Sequence, residues 1–246
     1  MLSKAQNKYI RSLTQQKFRY EHNVFIVEGE KIAHEWLSGT GDIQMIIGTS
    51  EWADDNAGLL RKHAGTELHI VKESELAAVS SLQAPNGVML IVPMPAARPV
   101  PVVSEWYMAL DGIQDPGNMG TIIRIADWFG IRHVVCAPQC VDVYNPKVVQ
   151  SAMGGHLRVN IYEAGLPGFL AKVSLPAIAA TLDGENVYEM QRTEAAVLII
   201  GNESKGISRE VQDMATKKVR IPGRGGAESL NAGVSAGILC ALLLPV

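Results

Sequence analysis

Cysteine is scarce in this 246-residue chain, and its three copies, Cys136, Cys140 and Cys240, form no obvious set. No Cys-x-x-Cys and no Cys/His cluster has metal-ligand spacing, so neither a zinc site nor a disulfide scaffold is expected. Free, mostly buried thiols in a reducing, cytoplasmic compartment are the reading. No Gly-Lys-Ser/Thr closes a phosphate loop and no G-x-G-x-x-G occurs, which removes the usual signatures of ATP hydrolysis and dinucleotide binding. The first twenty residues lack an apolar stretch of the secretory kind. The uncharged tail Ala232–Val246 falls short of the ~20 apolar residues that a membrane-spanning helix needs, so a buried terminal helix and no membrane are expected. Those first twenty residues also lack any carboxylate, yet carry Lys4, Lys8, Arg11, Lys17 and Arg19 on a chain of net charge −3. Such a basic arm can contact a few phosphates; a solvated helix face accounts for it equally well.

With 47% hydrophobic and 19% charged residues, the chain has the balance of a globular protein. Residues 93–101, PMPAARPVP, hold four prolines in nine positions. Proline fixes φ and removes a donor, so the run suits an extended spacer and places a domain boundary near Arg98. Before it, helices and strands alternate: a basic helix at Ser3–Gln16, a strand at Asn23–Val27, a helix at Glu30–Leu37, the run QMIIGT, a helix at Trp52–His63, then ELHIV, SELAAVSS and NGVMLIVPM. This pattern predicts an α/β sandwich. After it come short runs, apolar throughout (WYMALDG, HVVCAP, PAIAAT, AVLIIGN, KKVRIPG), separated by helical windows. Strands apolar on both faces predict a parallel sheet covered by helices, and ligands of such sheets bind beyond the carboxyl ends of the strands.

Three loops lie at those ends. In LDGIQDPGNMGTIIR a strand ends at Asp111-Gly112, and a helix capped by Asn118 or Thr121 begins beyond Pro116 and Gly117. Its free amides favour an anion, and Arg124 is placed either to grip a phosphate or merely to decorate a surface. In AVLIIGNESKGIS, Gly201 follows the strand directly, with Glu203 and Lys205 before Gly206. This reads as a close approach of backbone to ligand, or as a helix start capped by Ser208. In VRIPGRGGAESLN a glycine-rich loop holding Arg224 precedes Ser229 and Asn231 at the mouth of the last helix. Gly233, Gly237 and Ala241 give that helix a flat face suited to tight packing. His156, before a strand, is read as structural.

In this order, NMGTIIR, IIGNESKGIS and IPGRGGAESLN resemble the three motifs of the SpoU/TrmH family of RNA ribose 2′-O-methyltransferases, of the SPOUT class, over about residues 104–246. KYIRSLTQQKFRYEHNVFIVEGEK resembles the opening of the L30e-like substrate-binding domain found in many members. The resemblance implies an L30e-like α/β sandwich over residues 1–97 and a parallel-sheet domain with a deep trefoil knot over residues 98–246, paired as a homodimer. It implies S-adenosylmethionine as methyl donor, held around Thr181, Leu182, Gly201, Asn202, Ile221, Ser229 and Leu230. It places Asn118, Arg124, Glu203, Ser229 and Asn231 at catalytic and substrate-facing positions. Glu203 acts in catalysis or holds its loop through backbone amides. RNA contacts fall to Lys4, Lys8, Arg11, Lys17, Arg19 and Arg224. Gly-Arg-Gly-Gly after Pro222, where many relatives carry a methionine and a single glycine, leaves the role of Arg224 open. Ribosomal RNA is the expected substrate; a tRNA ribose methyltransferase and a non-catalytic RNA-binding or ribosome-assembly protein are the alternatives.

Overall fold

The computed structural model describes residues 2–245; Met1 and Val246, the outer ends of the two expected domains, lie outside them. It divides into two compact units. One runs to Ala96 and takes in Tyr144–Leu157; the other comprises Ala97–Val143 and the chain from Arg158 onward.

In the first unit the order is α1 (Lys4–Ser12), α2 (Gln16–His22), β1 (Val24–Glu28), α3 (Glu30–Ser38), β2 (Met45–Thr49), α4 (Ser50–Asp55), α5 (Ala57–Leu60), β3 (Glu67–Val71), α6 (Glu73–Val79) and β4 (Val88–Pro93). The strands line up β1-β4-β2-β3, with β4 antiparallel to both neighbours and β2 parallel to β3. Successive side chains of a strand point to opposite faces, and β1 shows the result. Phe25 and Val27 join a core with Trp36 and Leu90, whereas Val24 and Ile26 join a second with Ile10 and Leu76. The sheet is therefore apolar on both sides, as a sandwich requires.

Two expectations change here. The helix expected over Ser3–Gln16 stops at Ser12, and the chain restarts as α2 with its residue Arg19 only 1% exposed. The Arg19 guanidinium donates to the carbonyls of Leu13 and Thr14, each at 2.9 Å, satisfying groups that the end of α1 leaves without helical partners. Arg19 is thus a structural cation and not the surface RNA contact expected of it. The single cut near Arg98 also separates the units only in part. The helix Pro146–Ala152 folds with the first unit, where Val149 enters the core beside Phe25 and Trp36.

The second unit holds β5 (Tyr107–Asp111), α7 (Pro116–Trp128), β6 (His133–Cys136), β7 (Asn160–Glu163), α9 (Leu166–Leu170), β8 (Ala177–Asn186), β9 (Val197–Gly201), α10 (Arg209–Asp213), β10 (Lys217–Arg220) and α11 (Ala232–Leu243), with Pro146–Ala152 numbered α8. Its six strands are all parallel, in the order β10-β8-β9-β5-β6-β7. Tyr107, Met108, Ala109 and Leu110 of the central β5 are all fully buried, as a strand covered on both faces must be. Beside β10, strand β8 leaves the ladder after Ala179 and returns at Glu185, so Thr181, Leu182 and Asp183 form a detour at the sheet edge. Helix α11 lies along α7. A Cβ on Gly233 would stand 2.8 Å from Thr121, and one on Gly237 would stand 3.6 Å from Ile125. The small residues are what let the two helices approach. Among the described residues no helix is long and apolar enough to cross a membrane.

Candidate active site

Strands β5 and β9 are neighbours, with Asp111 opposite Gly201, so the loops that follow them start side by side. After β5 the chain turns at Gly112, where φ is +75°, a value that glycine adopts without strain. It enters α7 through Asp115, whose carboxylate accepts from the Asn118 amide N–H at 2.8 Å, with Pro116 at the first helical position. Asp followed by Pro is a strong helix-start signal. The cap thus lies upstream of both expected candidates, and the Asn118 side chain is released for other work.

That side chain joins all three loops. Its Nδ2 donates to Glu203 Oε1 at 2.7 Å, and its Oδ1 accepts from Asn231 Nδ2 at 2.6 Å. A carboxylate can only accept, so Glu203 fixes which end of the Asn118 amide faces it. That in turn requires a donor on the far side, which Asn231 supplies. Asn231 also caps α11, its Oδ1 accepting from Val234 N at 3.2 Å.

The loop after β9 is held by Asn202. Two backbone bonds pair it with Gly206, at 3.0 and 2.9 Å. Its Oδ1 accepts from the amides of Ser204 and Lys205 at 2.9 and 3.0 Å, and its Nδ2 donates to the Gly112 carbonyl at 2.7 Å. With its side-chain amide and its backbone N–H so committed, Asn202 shapes the loop that follows β9. A Cβ on Gly201 would lie 2.3 Å from Ile207 N, so the hairpin closes against a bare backbone. Ser208 sits at the start of α10 without capping it; its amide instead donates to Asp111 Oδ2 at 2.7 Å. Asp111, Asp115 and Gly112 are structural supports that the sequence reading passed over, although Asp115-Pro116 carried the signal.

Around this framework the remaining residues stand open. Arg124 is exposed on α7, and its guanidinium has no hydrogen-bond or ion-pair partner among the described residues. Residues 223–230 are exposed throughout, including Arg224, Ser229 and Leu230, whereas Ile221 is half-buried. Leu182 is 75% exposed, and the neighbouring Thr181 hydroxyl is buried with no partner at hydrogen-bond distance and angle among the described residues. Away from these loops, Lys4, Lys8, Arg11 and Lys17 are exposed on α1 and α2.

The sheet is all parallel, and its polar loops are tied together at the carboxyl ends of the strands, where α/β sheets bind ligands. The SpoU rRNA Methylase family model matches residues 105–241, and the chain belongs to this family. Residues 4–90 match the model of the MRM3-like substrate binding domain. The chain is 27% identical over 245 residues to the 23S rRNA (guanosine(2553)-2′-O)-methyltransferase RlmP of Bacillus subtilis (strain 168), covering 97% of this chain and 96% of that protein. Among solved structures, a TrmH-family protein from Porphyromonas gingivalis superposes with a TM-score of 0.85 at 37% identity, over 99% of this chain and 98% of the other. An AdoMet-bound rRNA methyltransferase from Sinorhizobium meliloti gives 0.85 at 28% identity, over 98% and 94%.

Proposed function

We infer that the protein transfers a methyl group from S-adenosylmethionine to a ribose 2′-hydroxyl of ribosomal RNA. The observation that carries this reading is the chain of hydrogen bonds Asn231–Asn118–Glu203, which ties three loops together beside an exposed, unpartnered Arg124. A protein that kept only the fold would have no need of so many polar groups in register.

The residues present fit the cofactor. Leu182 and Leu230 are apolar side chains left exposed, the Thr181 hydroxyl lacks a partner, and Gly201 presents bare backbone. Neutral, partly apolar walls suit an adenosine better than a phosphate-rich ligand. Thr181, Leu182, Gly201, Ile221, Ser229 and Leu230 would hold it. Once bound, it supplies an activated methyl on a sulfonium, a group that needs no further activation by the protein. The chain's own residues then have to align the 2′-oxygen in line with that methyl and support the charge that grows on oxygen. Arg124 does both, holding a phosphate next to the ribose and facing the developing oxyanion. Its guanidinium acts as a cation and hydrogen-bond donor, and the hydroxyl proton passes to solvent. Asn118, held from both sides, and Glu203 keep the first two loops in register, and Ser229 and Asn231 position the third.

We place the active form as a homodimer: α7 and α11 leave Trp128 83% and Val234 51% exposed, apolar surface that a second copy would cover. A ribosomal substrate and three free cysteines support a reducing compartment such as the cytoplasm. Mapping 2′-O-methyl positions in total RNA from cells with and without the gene tests the reading. Loss of one ribosomal RNA site supports it, loss of a tRNA site moves the substrate, and no loss together with no S-adenosylmethionine binding by calorimetry overturns it.

A further inference from the structure

The run from Lys217 to Arg224 carries Lys217, Lys218, Arg220 and Arg224, and no carboxylate stands between Asp213 and Glu228. The first three lie on β10, an edge strand that leads directly into the loop holding Ser229 and Asn231. Charged residues on edge strands ordinarily protect against edge-to-edge pairing, but protection does not explain this strand. Among the described residues there are four sheet edges: β1 (VFIVE), β3 (ELHIV), β7 (NIYE) and β10 (KKVR). The first three each carry one glutamate and no lysine or arginine. Only the edge that ends at the candidate active site is cationic.

These cations are also free to be used. The side chains of Lys217, Arg220 and Arg224 have no hydrogen-bond or ion-pair partner among the described residues. Lys218 stands 4.0 Å from Asp183, with 41% and 76% of the two side chains exposed, a contact too open to hold it. Lys218 and Arg220 stand two residues apart on the strand, roughly 6–7 Å by strand geometry, across the step where the register against β8 shifts. That spacing lets successive cations meet successive phosphates of an extended strand. A Cβ built on Gly223, Gly225 or Gly226 would meet nothing within 4 Å, so Arg224 stands on an open, exposed loop that leads to Ser229.

We propose that β10 and the glycine-rich loop after it form a phosphate track that holds single-stranded RNA flanking the methylated ribose, through Lys218, Arg220 and Arg224, with Lys217 at its entrance. This rests on the reading of the site as an RNA ribose methyltransferase and adds where the strand runs. The track contributes affinity and placement, not base recognition, because phosphate contacts carry no sequence information.

The test compares full-length wild type with the triple variant Lys218→Gln/Arg220→Gln/Arg224→Gln. The measurements are binding of a short oligouridylate as a function of salt, and methyl transfer to ribosomal RNA from cells lacking the gene. Each lost phosphate contact lowers the dependence of log K on log salt by about 0.7 for single strands. The triple variant is expected to lose roughly two units of that slope and to bind roughly tenfold or more weakly at low salt, with KM raised and kcat little changed. Lys172→Gln, in the turn after α9, controls for the loss of one cation elsewhere, and Lys218→Arg alone should bind as wild type does because the charge is kept. Unchanged slope and KM in a folded triple variant would overturn the track while leaving the methyltransferase reading intact. A wild type that binds the RNA through these residues yet transfers no methyl would sink the reading and keep the track as an RNA surface. A wild type that binds no RNA overturns both.

Discussion

The loop after β9 and the open face of α7 meet at one hydrogen bond, yet they are built from opposite materials. The β9 loop is mostly backbone: Gly201 packed against Ile207, Asn202 bonded to its own hairpin and to the Gly112 carbonyl, Gly206 at φ +68°. The α7 side is side chain: Arg124 unpaired and Asn118 bonded at both ends. A surface of backbone is sensitive to added atoms and indifferent to lost charge; a surface of side chains is the reverse. That difference suits a neutral nucleoside on one side and a polyanion on the other.

Substitutions can break the contrast from either side. Arg124→Ala should cause the largest loss, about 10²–10³-fold in kcat, as removal of a donor to a developing oxyanion does. S-adenosylmethionine affinity should stay near wild type by calorimetry, and equal losses in both would erase the contrast. Gly201→Ala should act the other way, weakening cofactor binding and costing about 1–3 kcal/mol of stability from overpacking, read as a lower denaturation midpoint. Asn118→Ala leaves Glu203 and Asn231 without their shared partner and should cost about 1–3 kcal/mol across binding and rate together. Asn118→Asp should do no better, since it sets two carboxylates face to face. The combined Lys4→Gln/Lys8→Gln/Arg11→Gln variant should only raise KM for RNA, and less so as salt rises. The smallest effect lies away from the site. Burial pushes the His133 imidazole below its ordinary value, only partly offset by Glu105. The fold therefore favours neutral His133: its contribution is present above about pH 6.5 and is lost as pH falls towards the lower folded value. Replacing His133 with Phe should flatten that part of the stability–pH curve, and an unchanged curve would show that other groups set it.

What the sequence disclosed follows physical range. The parallel sheet was legible because WYMALDG, HVVCAP and AVLIIGN are local signals, and the three loops were legible because each follows its strand directly. The bond between Asn118 and Asn231 spans 113 residues, and nothing local announces it, although each residue was separately picked out. Arg19 reads as one more surface cation until the end of α1 is seen to lie over it. Likewise Pro146–Ala152 gives no sign in its own composition that it folds with the first unit, because the strand it covers is more than a hundred residues away. The part Asn202 plays in joining two loops has the same origin, a carbonyl supplied by Gly112.

Gly233 beside Thr121 and Gly237 beside Ile125 also mean that α7 and α11 point the same way, and so carry their dipoles in the same sense. Each amino-terminal end is equivalent to roughly +0.5 of an elementary charge. At α7 that pole is answered by the Asp115 carboxylate, whereas at α11 the cap is the neutral amide of Asn231. The uncompensated pole therefore lies next to Ser229, at the end of the loop that carries Arg224. It is a positive field that no change of pH can titrate.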